Sequence, residues 1–405
     1  MEELSLLTGT LDFGSEDAVE LYQQASFLTA NISFNFVGVG SMPTGDTSVD
    51  VIVDGETIAS GTAALVDNGA KNLVYNTSFV LALPGGTVLS ADDYIEVCDR
   101  RIPLAAVTLN ANRNRNITRT IDFKPELGDP YWSDGTYGRV AHPSGVEVVG
   151  IIVFVNNYED SDNSDLAVEA RALTEKDSGF GHALVMSLRN AATSIRWGGT
   201  TKRYTTAVQD PGATLNIDNV SGYLNTKEQR NETAPQAALN YRSGDTHTGH
   251  DSGWFLPSVG QWMYSISTRG FGGADPAEDW LVADSKDKKW LTNGSIGNLV
   301  LVKKGDTNEN LLVLSLNGRL ETLRQHLGCG YDAFGMTIGS EYGDNYWTST
   351  EYSATEAIRM NLGSMKKPTG SSDWYSTIKV GNLGKGKTWA YMEGFIMKVR
   401  PFLAF

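Results

Sequence analysis

The chain has 405 residues, of which 40% are hydrophobic and 10% aromatic, and a formal net charge of −15, so it has apolar material for a sizeable core and no basic surplus for nucleic acid. Eleven acidic residues, from Glu2 to Asp67, precede the first basic one, Lys71, which keeps that segment well solvated. No apolar run is long enough for a bilayer-spanning helix, and the two cysteines, Cys98 and Cys329, leave the redox compartment open.

Residues 1–25 are ambiguous: Ser15 followed by Ala18, Val19, Leu21 and Tyr22 fits one or two capped helical turns. No charged start with an apolar h-region appears, and Met1-Glu2-Glu3 looks like a start placed where an export leader has been cut away. From Ser26 the pattern becomes one of strands. Phe27, Ala30, Ile32, Phe34 and Phe36 are followed by strict alternation at Val49, Val51 and Val53. Asp54-Gly55 then suits a hairpin into Glu56–Ala59. Further strands are expected over Asn72–Leu83, Tyr94–Val97, Leu104–Leu109 and Ile117–Phe123. Seven or so strands with turn signals between them read as a β-sandwich.

Asp122–Pro130, with two prolines and a glycine, reads as a linker. The division is therefore 1–123, a linker at 124–130, and 131–405. The second part opens on a strand at Tyr131-Trp132-Ser133 and continues with a buried strand over Val146–Val155. Asn156–Asp165 is an acidic loop in which Asp160, Asp162, Asn163 and Asp165 crowd hard oxygen ligands, but without the EF-hand order a solvated loop is the better reading. Gly181–Ala192 reads as strand then short helix, and Thr226–Tyr241 as one helix.

Gly253-Trp254-Phe255-Leu256-Pro257-Ser258 is the most informative stretch. Pro257 holds Leu256 extended, Ser258 is an N-cap, and Gln261 stands where a capping-box partner belongs. Val259, Trp262, Met263 and Ile266 then give the helix one apolar face. Leu299–Val302 and Leu311–Leu316 read as strands, and Leu320, Leu323 and Leu327 as a short helix. A strand is expected at Asn345–Glu351, a hairpin or exposed loop over Met365–Lys387, and a closing strand over Gly394–Phe402.

Two resemblances follow from these residues. The combination of W-x-LPS-x-x-x-W at 254–262, Tyr346-Trp347-Thr348-Ser349-Thr350-Glu351 and the closing Lys398-Val399-Arg400-Pro401 resembles the C-type-lectin-like domain that ends many secreted and fimbrial proteins of anaerobic Gram-negative bacteria. Thr108–Arg113 and Ile117–Ile121 resemble the end of the N-terminal domain of fimbrillin-type pilus subunits, which is a transthyretin-like sandwich. The implied fold is mainly β: a transthyretin-like β-sandwich, then a C-type-lectin-like α+β domain whose first strand lies beside its last.

These resemblances imply a non-enzymatic, extracellular adhesin, a fimbrial tip or accessory pilin. The first domain would join pilus shaft or anchor subunits by donor-strand addition, with the Phe27–Phe36 strand bordering the groove. The second would bind a host or bacterial surface protein or glycan. The alternative is a surface glycan-binding lipoprotein of a polysaccharide-uptake system.

No G-x-S-x-G, H-E-x-x-H, Walker or dinucleotide glycine pattern occurs. His247 and His250 beside Asp251 have ligand-like spacing but stand in a loop with no second cluster, and Cys329 has no persuasive base. The formylglycine-generating oxidases share the resembled fold but need paired cysteines, where this sequence has one. No metal, cofactor or nucleic-acid partner is expected. The calcium-lectin ligand runs are missing, so glycan contact would rest on aromatic faces in polar stretches: Trp280, Trp290, Trp374, Tyr375, Trp389 and Tyr391. Trp132, Trp254 and Trp347 are expected in the core.

Overall fold

A computed structural model describes residues 25–36, 45–67, 74–84, 88–97, 100–104, 107–108, 114–138, 145–156, 178, 180–199, 204, 220–243, 251–266, 280–282, 299–303, 312–335, 343–366, 374–390 and 395–405. The 1–25 helical turns, the acidic loop at 160–165, Cys98, His247 and His250 lie outside the described residues. The fold is mainly β, with four helices among those residues. The chain forms two compact units, Met1–Lys124 with Thr136–Val146, and Pro125–Gly135 with Glu147–Phe405.

In the first unit, β1 (Ala25–Phe36), β2 (Gly45–Val53), β3 (Glu56–Asp67), β4 (Val74–Pro84), β6 (Tyr94–Val97), β7 (Arg100–Pro103) and β9 (Asn114–Phe123) form one path. Its order is β7-β6-β2-β3-β4-β1-β9, and β5 (Val88–Leu89) pairs separately with β8 (Val107–Thr108). The alternation of β2 does what the sequence predicts: Val49, Val51 and Val53 are buried. Asp54 and Gly55 both take positive φ, 52° and 81°, and join Val53 to its partner Glu56. That is the mirror-image turn whose twist suits a hairpin.

β3 pairs with β2 over most of its length and passes to β4 at Val66 and Asp67. β1 pairs antiparallel with β4, and it pairs in parallel with β9 from Phe27–Asn114 to Phe36–Phe123. β1 is thus an interior strand and does not border a groove. The path ends instead in β7 and β9, each with one partner strand among the described residues. Of the strand expected over Leu104–Leu109, Leu104 lies just past β7 with its N–H donating to the Asp93 carbonyl, and Val107–Thr108 joins β5.

The second unit contains two sheets. β10 (Pro130–Trp132), β11 (Val148–Val155), β12 (Ala183–Ser187) and β21 (Phe402–Ala404) form one, in the order β10-β11-β12-β21. The first and last strands therefore share a sheet but stand at its opposite edges rather than side by side. The Tyr131 and Phe405 rings nevertheless meet, with centroids 5.2 Å apart. Where a linker was expected, Gly128 N–H donates to the Ile152 carbonyl and Ile152 N–H to the Asp129 carbonyl, which seats that stretch against β11. β11 is buried almost throughout, and a Cβ at Gly150 would run into the Val185 side chain and lie 3.3 Å from the Trp254 ring.

The larger sheet runs β13 (Ala192–Thr193), β20 (Phe395–Val399), β16 (Asp344–Glu351), β17 (Glu356–Lys366), β18 (Trp374–Gly384), β15 (Leu299–Lys303), β14 (Trp280–Val282), with β19 (Trp389–Ala390) also on β20. β16 is buried on both faces, so Trp347 is core, as are Trp132 and Trp254.

Four sequence readings need correction. The helix expected after β12 is absent, because the backbone groups there are used elsewhere: Leu188 N–H donates to the Val149 carbonyl, and Ala191 N–H to the Val399 carbonyl. Thr226–Tyr241 holds two helices, α1 (Gly222–Glu228) and α2 (Thr233–Leu239), with Pro235 in the first turn of the second. Leu311–Leu316 is not a strand, since α4 spans Leu312–Leu327 and buries Leu316, Leu320 and Leu323 along one helical stripe. The closing strand is two, β20 and β21 in different sheets, broken at Arg400-Pro401.

Candidate functional site

The scaffold of the second unit is fixed by the 253–266 stretch. Phe255 exchanges both backbone hydrogen bonds with Phe402, at 2.7 and 2.9 Å. Ser258 Oγ accepts from Gln261 N–H at 3.3 Å while Gln261 Oε1 accepts from Ser258 N–H at 3.1 Å, a complete capping box. α3 (Val259–Ile266) follows and buries Val259, Trp262, Met263 and Ile266. The Trp262 ring meets Phe402 at 5.1 Å and Tyr346 at 5.3 Å between centroids, joining both sheets.

Beside this apolar joint sits Arg400, fully buried. Its guanidinium donates to the carbonyls of Leu188 (2.8 Å), Ser187 (3.2 Å) and Asp332 (2.7 Å), and lies 4.8 Å from the Phe334 ring centroid. Burial pushes the neighbouring Tyr346 phenol far up from its ordinary value.

A second polar group was not foreseen. Glu351, at the end of β16, and Lys385, just past β18, form an ion pair with neither side chain exposed. Lys385 Nζ lies 4.6 Å from the Trp197 ring centroid, and Glu351 Oε2 accepts from Tyr204 N–H at 2.9 Å. Tyr204 Oη donates to Glu232 Oε1 at 2.6 Å, and the other Glu232 oxygen accepts from Gly199 N–H at 2.5 Å. Glu232 stands at the N-cap of α2 but makes no side-chain cap bond, because its carboxylate is used here. Burial is the main cause that raises the Glu351 carboxyl from its ordinary value, with Lys385 opposing it. In the sequence Lys385 belongs to Gly-Lys-Gly-Lys, which reads as a solvated turn.

These groups hold loops to sheets. Asp251 accepts from Tyr131 Oη at 2.8 Å and from Gly253 N–H at 2.8 Å, so both its oxygens serve the fold. Burial raises the Cys329 thiol from its ordinary value, which disfavours the thiolate a nucleophile needs.

Of the six aromatic candidates, Trp290 and Tyr391 lie outside the described residues. The other four are on strands rather than loops. Trp280 pairs with Lys303, Trp374 with Lys366, Tyr375 with Met365, and Trp389 with Ile396. Leu281, Val302 and Thr377 lie in one row across β14, β15 and β18. In that register the Trp280 position stands two strands across and two residues along from the Trp374 position. With strands about 4.8 Å apart and a rise of about 3.4 Å per residue, the two tryptophan positions are roughly 12 Å apart. Trp389 is on β19 at the far side of β20, so the sheet brings together Trp280, Trp374 and Tyr375 at one end and separates Trp389 across its width.

No protein-family model matches the chain, and no curated protein matches it. Among solved structures, a fimbrial protein from Bacteroides ovatus is similar over 94% of this chain and 71% of its own, at 16% identity and a TM-score of 0.39. A leucine-rich repeat protein from Bacteroides thetaiotaomicron is similar over 34% of this chain and 17% of its own, at 18% identity and a TM-score of 0.18.

Proposed function

We propose that the chain is a non-enzymatic cell-surface adhesin, a fimbrial tip or accessory pilin, with the first unit as assembly module and the second as adhesive head. The observation that carries this reading is the path of the first unit: an all-β sheet that ends in β7 and β9, each with one partner strand among the described residues. A strand edge of that kind accepts an added strand through main-chain hydrogen bonds, with alternate side chains setting register. The second unit supports the head assignment. The W-x-LPS-x-x-x-W, YW-x-STE and VRP positions that carry the resemblance all lie in its core. By the same reading the first unit is a transthyretin-like sandwich, the second a C-type-lectin-like domain, and the protein is exported to the cell surface.

The test is assembly. Mixed with shaft or anchor subunits, the chain is expected to enter heat-labile, detergent-resistant ladders, and proline substitutions along β9 that remove its N–H donors are expected to change that incorporation. Glycan binding by a chain that never joins a polymer would favour the polysaccharide-uptake alternative. Turnover of any substrate abolished by Cys329→Ala would overturn the non-enzymatic reading.

A further inference from the structure

The turn between β2 and β3 is an Asp-Gly pair, Asp54-Gly55. Asp-Gly, with its amide counterpart Asn-Gly, is the dipeptide most open to backbone rearrangement, because glycine puts no side chain in the way when its nitrogen attacks the preceding side-chain carbonyl. Among the described residues the chain has two further pairs of this kind, Asp134-Gly135 and Asn317-Gly318.

Their surroundings differ. Gly135 is buried, and its N–H donates to the Trp132 carbonyl at 3.0 Å. Asn317 lies within α4, and its carboxamide exchanges two hydrogen bonds of 2.8 Å with the Phe334 backbone. Asp54 and Gly55 are both exposed, and the Gly55 N–H donates to no acceptor among the described residues. Apart from its chain neighbours, no atom stands within 4 Å of where a Gly55 Cβ would be. The restraint on this turn is Asp93, whose Oδ1 accepts from Asp54 N–H at 3.0 Å while its Oδ2 accepts from Ser90 N–H at 2.5 Å.

We infer that Asp54-Gly55 is a site of spontaneous modification, at which the folded chain converts aspartate to isoaspartate through a succinimide. The Gly55 nitrogen bonds to Asp54 Cγ and gives up its proton while the carboxyl gives up its hydroxyl, so one water leaves as the five-membered ring closes. Water then adds back at either ring carbonyl. Opening at Cγ restores aspartate, whereas opening at the Asp54 main-chain carbonyl leaves the backbone running through Cβ and Cγ. No oxidant, reductant or cofactor enters, and the final mass is unchanged. Ring closure requires the Gly55 peptide plane to turn towards the carboxyl. The open turn permits that motion, the hydrogen bonds at the other two pairs oppose it, and Asp93 slows it. The product adds one methylene to a connection that joins Val53 directly to its partner Glu56, so the end of the hairpin slackens. This chemistry is independent of what the chain binds or joins.

Ageing the folded full chain at neutral pH and body temperature tests it, read by isoaspartyl methyltransferase labelling and by peptide mass spectrometry with electron-transfer fragmentation. Isoaspartate at residue 54 is expected to exceed that at 134 and at 317 by at least roughly tenfold, as an open backbone site differs from one held by local structure. In urea the two Asp-Gly sites are expected to converge to within roughly threefold, since the difference belongs to the fold. Asp93→Ala is expected to raise the rate at 54 several-fold and leave 134 unchanged. Asp93→Asn, which keeps an acceptor and the volume, serves should the alanine variant misfold, with a smaller rise expected. Asp54→Glu, whose ring would need six members, is expected to carry no label there. The modified fraction is expected to exchange its amides faster at the Val53–Glu56 turn.

No isoaspartate at 54 in the aged folded chain, or equal accumulation at 134 or 317, overturns the inference. So does a difference between 54 and 134 that persists undiminished in urea, which would place its cause in the neighbouring residues rather than the fold. A rate at 54 that neither Asp93 variant moves overturns it as well, because opening of the turn would then not govern the reaction.

Discussion

Replacing Lys385 by Met keeps the volume at that position while stripping Glu351 of the only cation among its described partners. The carboxylate then has two options: stay charged in a fully buried site with the Tyr204 N–H as its remaining hydrogen bond, or take a proton. Breaking a buried pair from one side costs about 3–5 kcal/mol. Protonation caps that cost. From an ordinary value of 4.5, neutralising the group at pH 7 takes roughly 2.5 units at 1.36 kcal/mol each, or about 3.4 kcal/mol, and at pH 5 it takes about 0.7 kcal/mol. The sign follows from burial raising the folded-state value. The folded chain holds the proton more tightly than the unfolded one, so stability falls as pH rises from 4.5 through the raised value. Lys385→Met extends that window upward. Its deficit against wild type should be about 3 kcal/mol at pH 7 and should close towards pH 5. All nine tryptophans lie in the second unit, so urea unfolding followed by tryptophan fluorescence reports on that unit alone. The double variant Lys385→Met/Glu351→Gln should recover most of the loss. A deficit under about 1 kcal/mol at pH 7, or one that does not change with pH, would refute the reasoning.

The same fluorescence assay should show Arg400→Lys losing about 3 kcal/mol, because a lysine keeps the charge but cannot reach the Ser187, Leu188 and Asp332 carbonyls together. Gly150→Ala should cost about 1–3 kcal/mol through overpacking against Val185, with the largest loss of hydrogen-exchange protection in β11 and β12. Ser258→Ala and Gln261→Ala should each cost about 1 kcal/mol, and the pair little more than either, since they break the same capping box. In the first unit, Asp93 accepts from Ser90 N–H at 2.5 Å and Asp54 N–H at 3.0 Å, and these bonds hold its carboxyl below the usual value of 3.8. The stabilisation they give is present above that value and lost as pH falls through the lower folded one. Asp93→Ala should therefore speed amide exchange at the Val53–Glu56 turn at neutral pH and matter progressively less in acid.

What could be read from the residues alone was local. The Asp54-Gly55 turn, the Val49-Val51-Val53 alternation and the Ser258–Gln261 box each depend on a few neighbours, and each is present as read. Misreadings arose where a distant partner overrides local preference. Leu312–Leu316 has the composition of a strand, but its apolar stripe continues through Leu320 and Leu323, so the helical period wins once the whole stretch is packed. Leu188–Ala191 could have started a helix had Val149 and Val399 not taken its N–H groups. At the closing strand, Arg400-Pro401 looked like a continuation. Pro401 cannot donate to a ladder and Arg400 is withdrawn into the core, so the chain changes sheets there. The Lys385–Glu351 pair was illegible because a Gly-Lys-Gly-Lys turn carries no sign of burial. Nothing in the sequence relates Trp280 to Trp374; strand register does, setting them on one sheet across from Lys303 and Lys366.

The parallel seam between β1 and β9 has a mechanical consequence. The chain first leaves the first unit at the C-terminal end of β9, before returning to it at Thr136–Val146, while β1 is anchored on its other side by β4. Tension drawn through that exit pulls β9 lengthwise, so the evenly spaced bonds from Phe27–Asn114 to Phe36–Phe123 bear load together in shear. A seam stressed in that direction yields all at once, whereas one peeled from its end would part bond by bond.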